Sequence, residues 1–401
     1  MATAPTTLDS DQARLPEKGV WKLLPTVGMV TGVVFLLVAG FLAQGGPERF
    51  FHSYLVSWVF FLSLALGGLF FVLLQHLTRA GWSVVVRRVA EDVAGTLPFL
   101  ALLFVPLIPG IHSLYHWSHE EAVAEDPLLA HKAPWLDEGR FLAAAVLCLG
   151  LWSLLAWWYR RESRRQDESG EIEITERLQR WSALAMIVYG VTQSVAAFDW
   201  LMSLDAHWYS TIYGVYFFSG STVGILALLI GLALILERQG ALRGLVTFEH
   251  YHDLGKLLFG FVVFWAYIAF SQFMLIWYAA IPEETLWYAR RWEQGWRPYS
   301  IALAVIHFGI PFFFLLFRDV KRRRATLALS AIWLLVAHYL DVYWLVMPAL
   351  LESPGFHLQD LLTFVGVGAL FVGVLARLLR RHPVVPLGDP RLAESLAFEN
   401  V

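Results

Sequence analysis

The amino-acid sequence predicts an all-α integral membrane protein with about ten transmembrane helices. Hydrophobic residues make up 58% of the 401 residues and charged residues only 16%, whereas a water-soluble domain carries about a quarter charged residues. Apolar runs of roughly twenty residues recur along the chain, and lysines and arginines gather in every second connection between them. Both patterns are typical of a chain that crosses a bilayer many times and has little mass outside it.

The apolar runs define the predicted helices, because a helix satisfies all its backbone hydrogen bonds internally within the bilayer. The third run is the least regular, since Pro98, Pro106 and Pro109 each remove a helical hydrogen bond. We expect a membrane domain over 22–380, between a polar N-terminal segment at 1–21 and a tail at 381–401. The ten runs are 22–43, 55–77, 94–115, 140–159, 181–202, 211–236, 256–280, 300–317, 326–349 and 360–380.

The distribution of basic residues predicts the orientation of the chain. Of the 30 lysines and arginines, 24 fall at the two termini and in the even-numbered connections, and 6 fall in the odd-numbered connections. Cytoplasmic loops are enriched in basic residues, so both termini are predicted to be cytoplasmic. The basic connection at 160–180 is then expected to contact lipid headgroups, and the acidic connection at 116–139 faces outward.

Composition also excludes several kinds of cofactor and partner. Cys148 is the only cysteine, which excludes disulfides, iron–sulfur clusters and covalently attached haem within this chain. A b-type haem is not favoured, since it needs histidine pairs on facing helices, and no metal site is predicted. The chain has no basic face, so nucleic acid is not an expected partner.

Polar side chains inside the predicted helices are candidate functional residues, because each ionisable group in a bilayer costs roughly 3 kcal/mol or more. His338 and Asp341 are three residues apart and therefore share one face of a helix. The candidates toward the outer side are predicted to lie in the outer half of the membrane. There they could line a pocket for a polar-headed lipophilic ligand and accept its protons. The alternative to a functional role is that each single histidine forms only an interhelical hydrogen bond. The outer candidates are Asp199, Asp205, His207, Gln272, His307, His338 and Asp341.

A second polar group lies on the predicted cytoplasmic side. Arg87, Arg88 and Glu91 precede the third apolar run, and their spacing of three and four residues predicts a structural ion pair. Before the seventh run, four further polar residues either gather protons from the cytoplasm or form an ordinary interfacial loop. They are Glu249, His252, Asp253 and Lys256.

Four segments of the sequence are more specific than its hydropathy. The segments at 198–220, 252–284, 338–348 and 82–91 read FDWLMSLDAHWYSTIYGVYFFSG, HDLGKLLFGFVVFWAYIAFSQFMLIWYAAIPEE, HYLDVYWLVMP and WSVVVRRVAE. Together they resemble the polysulphide-reductase-C/NrfD-like membrane subunits of bacterial alternative complex III, a quinol:electron-acceptor oxidoreductase. The resemblance covers roughly residues 20–380 and is closest to the smaller, ActF-type subunit.

The resemblance implies an architecture and a set of partners. The eight central helices are expected to form two pseudo-symmetric four-helix bundles near 55–202 and 211–349, with two peripheral helices. Partners would be a larger ActC-type paralogue, an iron–sulfur subunit, c-haem subunits, small membrane subunits and a terminal oxidase, in the bacterial inner membrane. The chain itself would hold no metal, and electrons would pass from quinol to iron–sulfur clusters and haem c on the partners.

The resemblance leaves open what this subunit contributes, because the family's quinol pocket is attributed to the larger paralogue. The leading hypothesis is that this subunit contributes a quinone-type pocket, a proton-transfer path for proton translocation, or both. The subunit is not expected to be active alone. The alternatives are a structural scaffold for the active paralogue and the peripheral subunits, and a secondary transporter.

Overall fold

A computed structural model describes residues 12–16, 18–43, 46–293 and 295–399 of the chain. These residues form helices and connections without a β-strand, which confirms the all-α prediction. In this part of the chain, nine helices are long and apolar enough to cross a membrane, and the number is ten when one bent pair is counted as a single span. The crossings are α1 (Val20–Leu42), α2 (Pro47–Leu77), α3 (Val84–Leu102 with Val105–Leu114), α4 (Glu138–Ser169), α5 (Ile172–Trp200), α6 (Tyr213–Arg238), α7 (Phe248–Ala279), α8 (Trp296–Leu316), α9 (Arg324–Val346) and α10 (Leu358–Leu379).

Short helices lie between and after these crossings. One of them, Pro282–Arg290, follows α7 and borders the site described below. The others are Glu120–Glu125, Pro127–Lys132, Arg318–Arg322 and Leu392–Leu396. Of the predicted N-terminal segment, residues 1–11 and 17 lie outside the described residues, whereas Ala13 and Leu15 are buried.

The third crossing differs from its prediction. Its helix begins at Val84, ten residues before the apolar run, so the expectation that Arg87, Arg88 and Glu91 precede the helix is wrong. The two parts of α3 meet at an angle of 48°. Pro106 causes this break, because its ring lacks an N–H and clashes with the carbonyl four residues earlier, at the end of the first part.

The helices pack around two buried central members, α2 and α6, which contact each other. Helix α2 packs against α3 and α5, and α4 packs against α5. Helix α6 packs against α7 and α9, and α8 contacts both of these. The peripheral helices α1 and α10 pack closely, since a Cβ on Gly28 would lie 2.6 Å from the carbonyl oxygen of Ala369. This grouping brings residues of α2, α6, α7, α8 and α9 together at one place.

Candidate functional site

The candidate site is centred on two buried residues of α9. His338 and Asp341 are 1% and 2% exposed, and they lie on one face of the helix as their spacing predicts. The Tyr216 hydroxyl donates to Asp341 Oδ1 at 2.5 Å, and the Trp265 indole N–H donates to Asp341 Oδ2 at 3.0 Å. His338 Nε2 lies 2.7 Å from the Ser63 hydroxyl oxygen. Four helices therefore contribute to the surroundings of one carboxyl group and one imidazole.

Asp341 has no ion-pair partner in the part of the chain that the structure describes. Its two hydrogen bonds both come from neutral donors. A carboxyl group that is not held in an ion pair can serve as a proton donor or a proton acceptor. Such a group is suited to proton transfer.

Small residues on α6 make room for the imidazole of His338. A Cβ on Gly224 would lie 2.8 Å from Cδ2 of His338, and a Cβ on Gly220 would lie 3.1 Å from Cε1. Neither contact is possible without a shift of the ring. The two glycines therefore allow α9 to approach α6 with a ring between them.

His307 completes the buried group from the side of α8. A π-helical turn at Val305–Gly309, just before Pro311, carries this residue, and such turns are frequent at functional sites. The ring of His307 stacks on that of Trp265 with centroids 3.8 Å apart, and neither ring nitrogen has a hydrogen-bond partner among the described residues. One donor atom from each of His307, His338 and Asp341 lies within 4.8 Å of the others, so this set could hold a divalent cation. No metal site was expected here from the sequence, and that expectation stays a prediction.

A cavity of about 970 Å³ lies beside the buried group. It is bordered by α7, α8 and the short helix Pro282–Arg290, and most of its surface is apolar and aromatic. Tyr216 and Trp265 form part of its inner wall, and Tyr267 and Trp277 at its rim are largely exposed on the outer surface of α7. The cavity is thus open toward the region that lipid tails occupy around a membrane protein.

The other outer candidates lie at separate positions. Arg140 on α4 donates to both carboxylate oxygens of Asp199, at 2.9 and 2.6 Å, and Asp205 pairs with Arg290 at 2.9 Å. Gln272 accepts a hydrogen bond from Ser210 and donates one to Tyr288, which lines the cavity. The structure therefore brings His307, His338 and Asp341 together and places Asp199 and Asp205 in ion pairs, while Gln272 contacts the cavity only through its hydrogen bond to Tyr288.

His207, in the connection between α5 and α6, pairs with Asp126 in the connection at 116–139, and both side chains are partly exposed. Its Nε2 lies 2.5 Å from Asp126 Oδ2. This hydrogen bond is the main cause that lowers the pKa of Asp126 below its ordinary value, and two backbone N–H groups add to it. The pair lies outside the transmembrane helices, and neither residue lines the cavity.

The predicted cytoplasmic group lies within the first three turns of α7. Glu249 accepts a hydrogen bond from Arg322 at 2.8 Å and lies 3.9 Å from His252, and Lys256 pairs with Asp253. From Asp253 to Trp265 the helix rises by roughly 18 Å. The group is therefore at the opposite end of α7 from the cavity.

The predicted ion pair on α3 is present and is part of a larger network. The Nε atoms of Arg87 and Arg88 lie 3.5 and 3.3 Å from the carboxylate of Glu91. Arg87 also pairs with Asp389, and Arg88 pairs with Asp167 at 2.7 Å. The network ties α3 to the end of α4 and to the C-terminal segment.

Sequence reasoning missed Ser63, Trp265 and Arg291 as members of the site. Ser63 and Trp265 lie in apolar runs that carry no local signal. Arg291, which lines the cavity, lies in a connection where it is one of several charged residues. Only the packing of distant helices shows that these three residues face the same region.

The fold and the site define a multi-pass, all-α membrane protein whose large lateral cavity is backed by a buried carboxyl group. The sequence matches no protein-family model, and no curated protein matches it significantly.

Proposed function

We propose that this chain is a membrane subunit of a bacterial respiratory quinol:electron-acceptor oxidoreductase of the alternative complex III class. In this proposal it contributes a quinone-type pocket and a proton-transfer group, and it resembles the NrfD-like, ActF-type subunit. One observation supports the proposal most directly. Tyr216 and Trp265 both line the cavity and both donate a hydrogen bond to Asp341.

The cavity suits a ligand with a long apolar tail and a small polar ring. Its volume of about 970 Å³ is at the upper end of the range for small-molecule sites, roughly 300–1,000 Å³. Aromatic side chains such as Phe270, Phe273 and Phe308 provide contact surface for the tail and the ring. The exposed rim gives a lipid-soluble molecule a route from the bilayer.

The buried group can accept the protons that a quinol releases when it is oxidised. Oxidation of a quinol releases two protons and two electrons. In the proposal the two electrons pass to iron–sulfur clusters and haem c on partner subunits. The two protons pass in turn through the Tyr216 hydroxyl to Asp341, and the first moves on to His338 before the second arrives. If oxidation is coupled to translocation, Glu249, His252, Asp253 and Lys256 form the cytoplasmic uptake side.

Filling the cavity tests this proposal. Ala304 on α8 lines the cavity, and replacing it with tryptophan is expected to weaken quinone-analogue binding at least about tenfold, because the indole occupies the space of the ligand. The matched control is Ala302→Trp, since Ala302 is on the same helix, is exposed and does not line the cavity. Equilibrium binding of a radiolabelled quinone analogue to the assembled complex measures both variants. Equal affinity in the two variants would contradict the proposed pocket.

The proposed orientation in the bacterial inner membrane has a simple test. A fluorescent protein that folds only in the cytoplasm, fused after residue 401, is expected to fluoresce. Alkaline phosphatase, which is active only outside the cytoplasm, is expected to be active when inserted in the connection at 116–139. The opposite pair of results would reverse the orientation.

A further inference from the structure

Arg291 is the only arginine or lysine among the described residues that line the cavity. It follows the short helix Pro282–Arg290 and is 4% exposed. Its Nε donates to the carbonyl of Trp344, Nη1 to that of Trp287, and Nη2 to that of Leu345. The guanidinium carbon lies 3.5 Å from the centre of the Trp287 ring. These contacts hold the guanidinium group in one position.

The structural role of Arg291 is clear but does not account for its charge. Two of its three acceptors are carbonyls in the last turn of α9, so it satisfies groups that a helix end leaves without partners. A helix C-terminus supplies only about half a negative charge. The described part of the chain places no carboxylate within ion-pair distance of Arg291, and nearby Asp205 pairs with Arg290. Burial lowers the pKa of Arg291 to about 10, and the group is still a cation at neutral pH.

An arginine side chain carries five N–H donors, and three of those of Arg291 have acceptors in the protein. The two remaining donors and a positive charge without an ion-pair partner belong to a residue that lines a mostly apolar cavity, where the only lining carboxylate among the described residues is that of the exposed Glu293. In such surroundings a cation attracts a negatively charged oxygen much more strongly than it does in water. Tyr288 lines the same cavity and adds a neutral donor, since its hydroxyl accepts a hydrogen bond from Gln272 and keeps its own proton.

We propose that Arg291 is the head-group subsite of the cavity and binds a ring oxygen of a quinone-class ligand, with preference for the ionised form of the ring. This inference rests on the proposed function. The apolar tail then extends along α7 toward the rim, and the Tyr216 hydroxyl remains available at the inner wall. An anionic phospholipid offers the same chemistry, a negative oxygen on an apolar tail, and the test separates the two.

The test compares two probes of nearly equal shape. A 2-hydroxy-3-alkyl-1,4-naphthoquinone is ionised at neutral pH, whereas its 2-methoxy ether is neutral. Binding of both is measured to the assembled complex in phosphatidylcholine nanodiscs. The wild type is expected to bind the ionised probe roughly 10- to 100-fold more tightly, the range for a hydrogen bond to a charged group. This result needs no variant, so it holds even if a substitution prevents folding.

Variants then assign the preference to one residue. Arg291→Gln is expected to abolish the preference for the ionised probe, and Arg291→Lys is expected to keep part of it. Arg290→Gln is the matched control, because Arg290 is the neighbouring residue and does not line the cavity, and it is expected to keep the full preference. Equal binding of the two probes by the wild type, or an unchanged preference in Arg291→Gln, would overturn the inference.

Two further outcomes separate the inference from the proposal on which it rests. If Ala304→Trp blocks both probes but the wild type shows no preference, only the role of Arg291 fails. If neither probe binds to the wild type, the quinone pocket itself fails. If phosphatidylglycerol displaces the ionised probe from the wild type but not from Arg291→Gln, the site binds an anionic phospholipid. That result would overturn the assignment to a quinone.

Discussion

Asp341→Asn is expected to lower quinol:acceptor turnover by roughly a hundredfold or more while the complex still assembles. The amide has nearly the shape of the carboxyl group: its oxygen can accept from the Trp265 indole N–H, and its NH2 can donate to the Tyr216 hydroxyl oxygen. It cannot take up a proton, and loss of a positioned acid or base typically costs a factor of about 10² to 10⁴ in rate. Steady-state turnover and proton release per assembled complex measure the effect.

A second buried carboxyl group provides the control. Asp360 on α10 accepts a hydrogen bond from Ser53 at 2.5 Å and pairs with Arg49, and it does not line the cavity. Asp360→Asn is expected to lower stability and to leave turnover per assembled complex close to that of the wild type. Unchanged turnover in Asp341→Asn, or an equal loss in both variants, would remove Asp341 from the proposed mechanism.

Arg140→Met is expected to lower the free energy of unfolding by about 3 kcal/mol. The substitution leaves the carboxylate of Asp199, which is 1% exposed, without the two hydrogen bonds it accepts from Arg140. Removing one partner of a buried pair costs about 3–5 kcal/mol, and the partial exposure of Arg140 favours the lower end. Unfolding of the purified chain in mixed micelles, followed by tryptophan fluorescence, measures the change.

The control for this pair is Arg290→Met, which removes the partner of Asp205. Arg290 is 53% exposed at its side chain, and exposed pairs contribute about 0–1 kcal/mol. Its expected effect is therefore several times smaller. A double variant with Asp199→Leu should recover part of the loss in Arg140→Met, because no buried charge is then left without a partner. Equal effects of the two arginine substitutions would contradict this assignment of Asp199 to a structural ion pair.

The transmembrane helices were predictable because each depends on local composition. A run of about twenty apolar residues has few alternatives to a helix in a bilayer. The start of α3 was missed because its first turns carry Arg87, Arg88 and Glu91, which lower hydropathy although the segment is helical and buried. Their partners Asp167 and Asp389 lie far along the chain, so hydropathy could not show that these charges are neutralised.

His307, His338 and Asp341 were predicted as polar residues within apolar runs, but only the two on one helix could be placed side by side. The spacing of His338 and Asp341 shows that they share a face of α9, but it does not show what faces them. Tyr216, Trp265 and Ser63 come from three other helices, and their contacts depend on how those helices pack. For the same reason the sequence could not separate Asp199, which pairs with Arg140, from the residues that surround Asp341.

Photo-labelling of the assembled complex with an azido-quinone tests the central claim most directly. If this chain provides a quinone pocket backed by Asp341, the label is expected on cavity residues of α7 and α8, such as Phe270, Phe273 and Ala304. Excess unlabelled quinone should prevent that labelling. Label found only on the larger paralogue would contradict the claim and would favour a scaffold role for this chain.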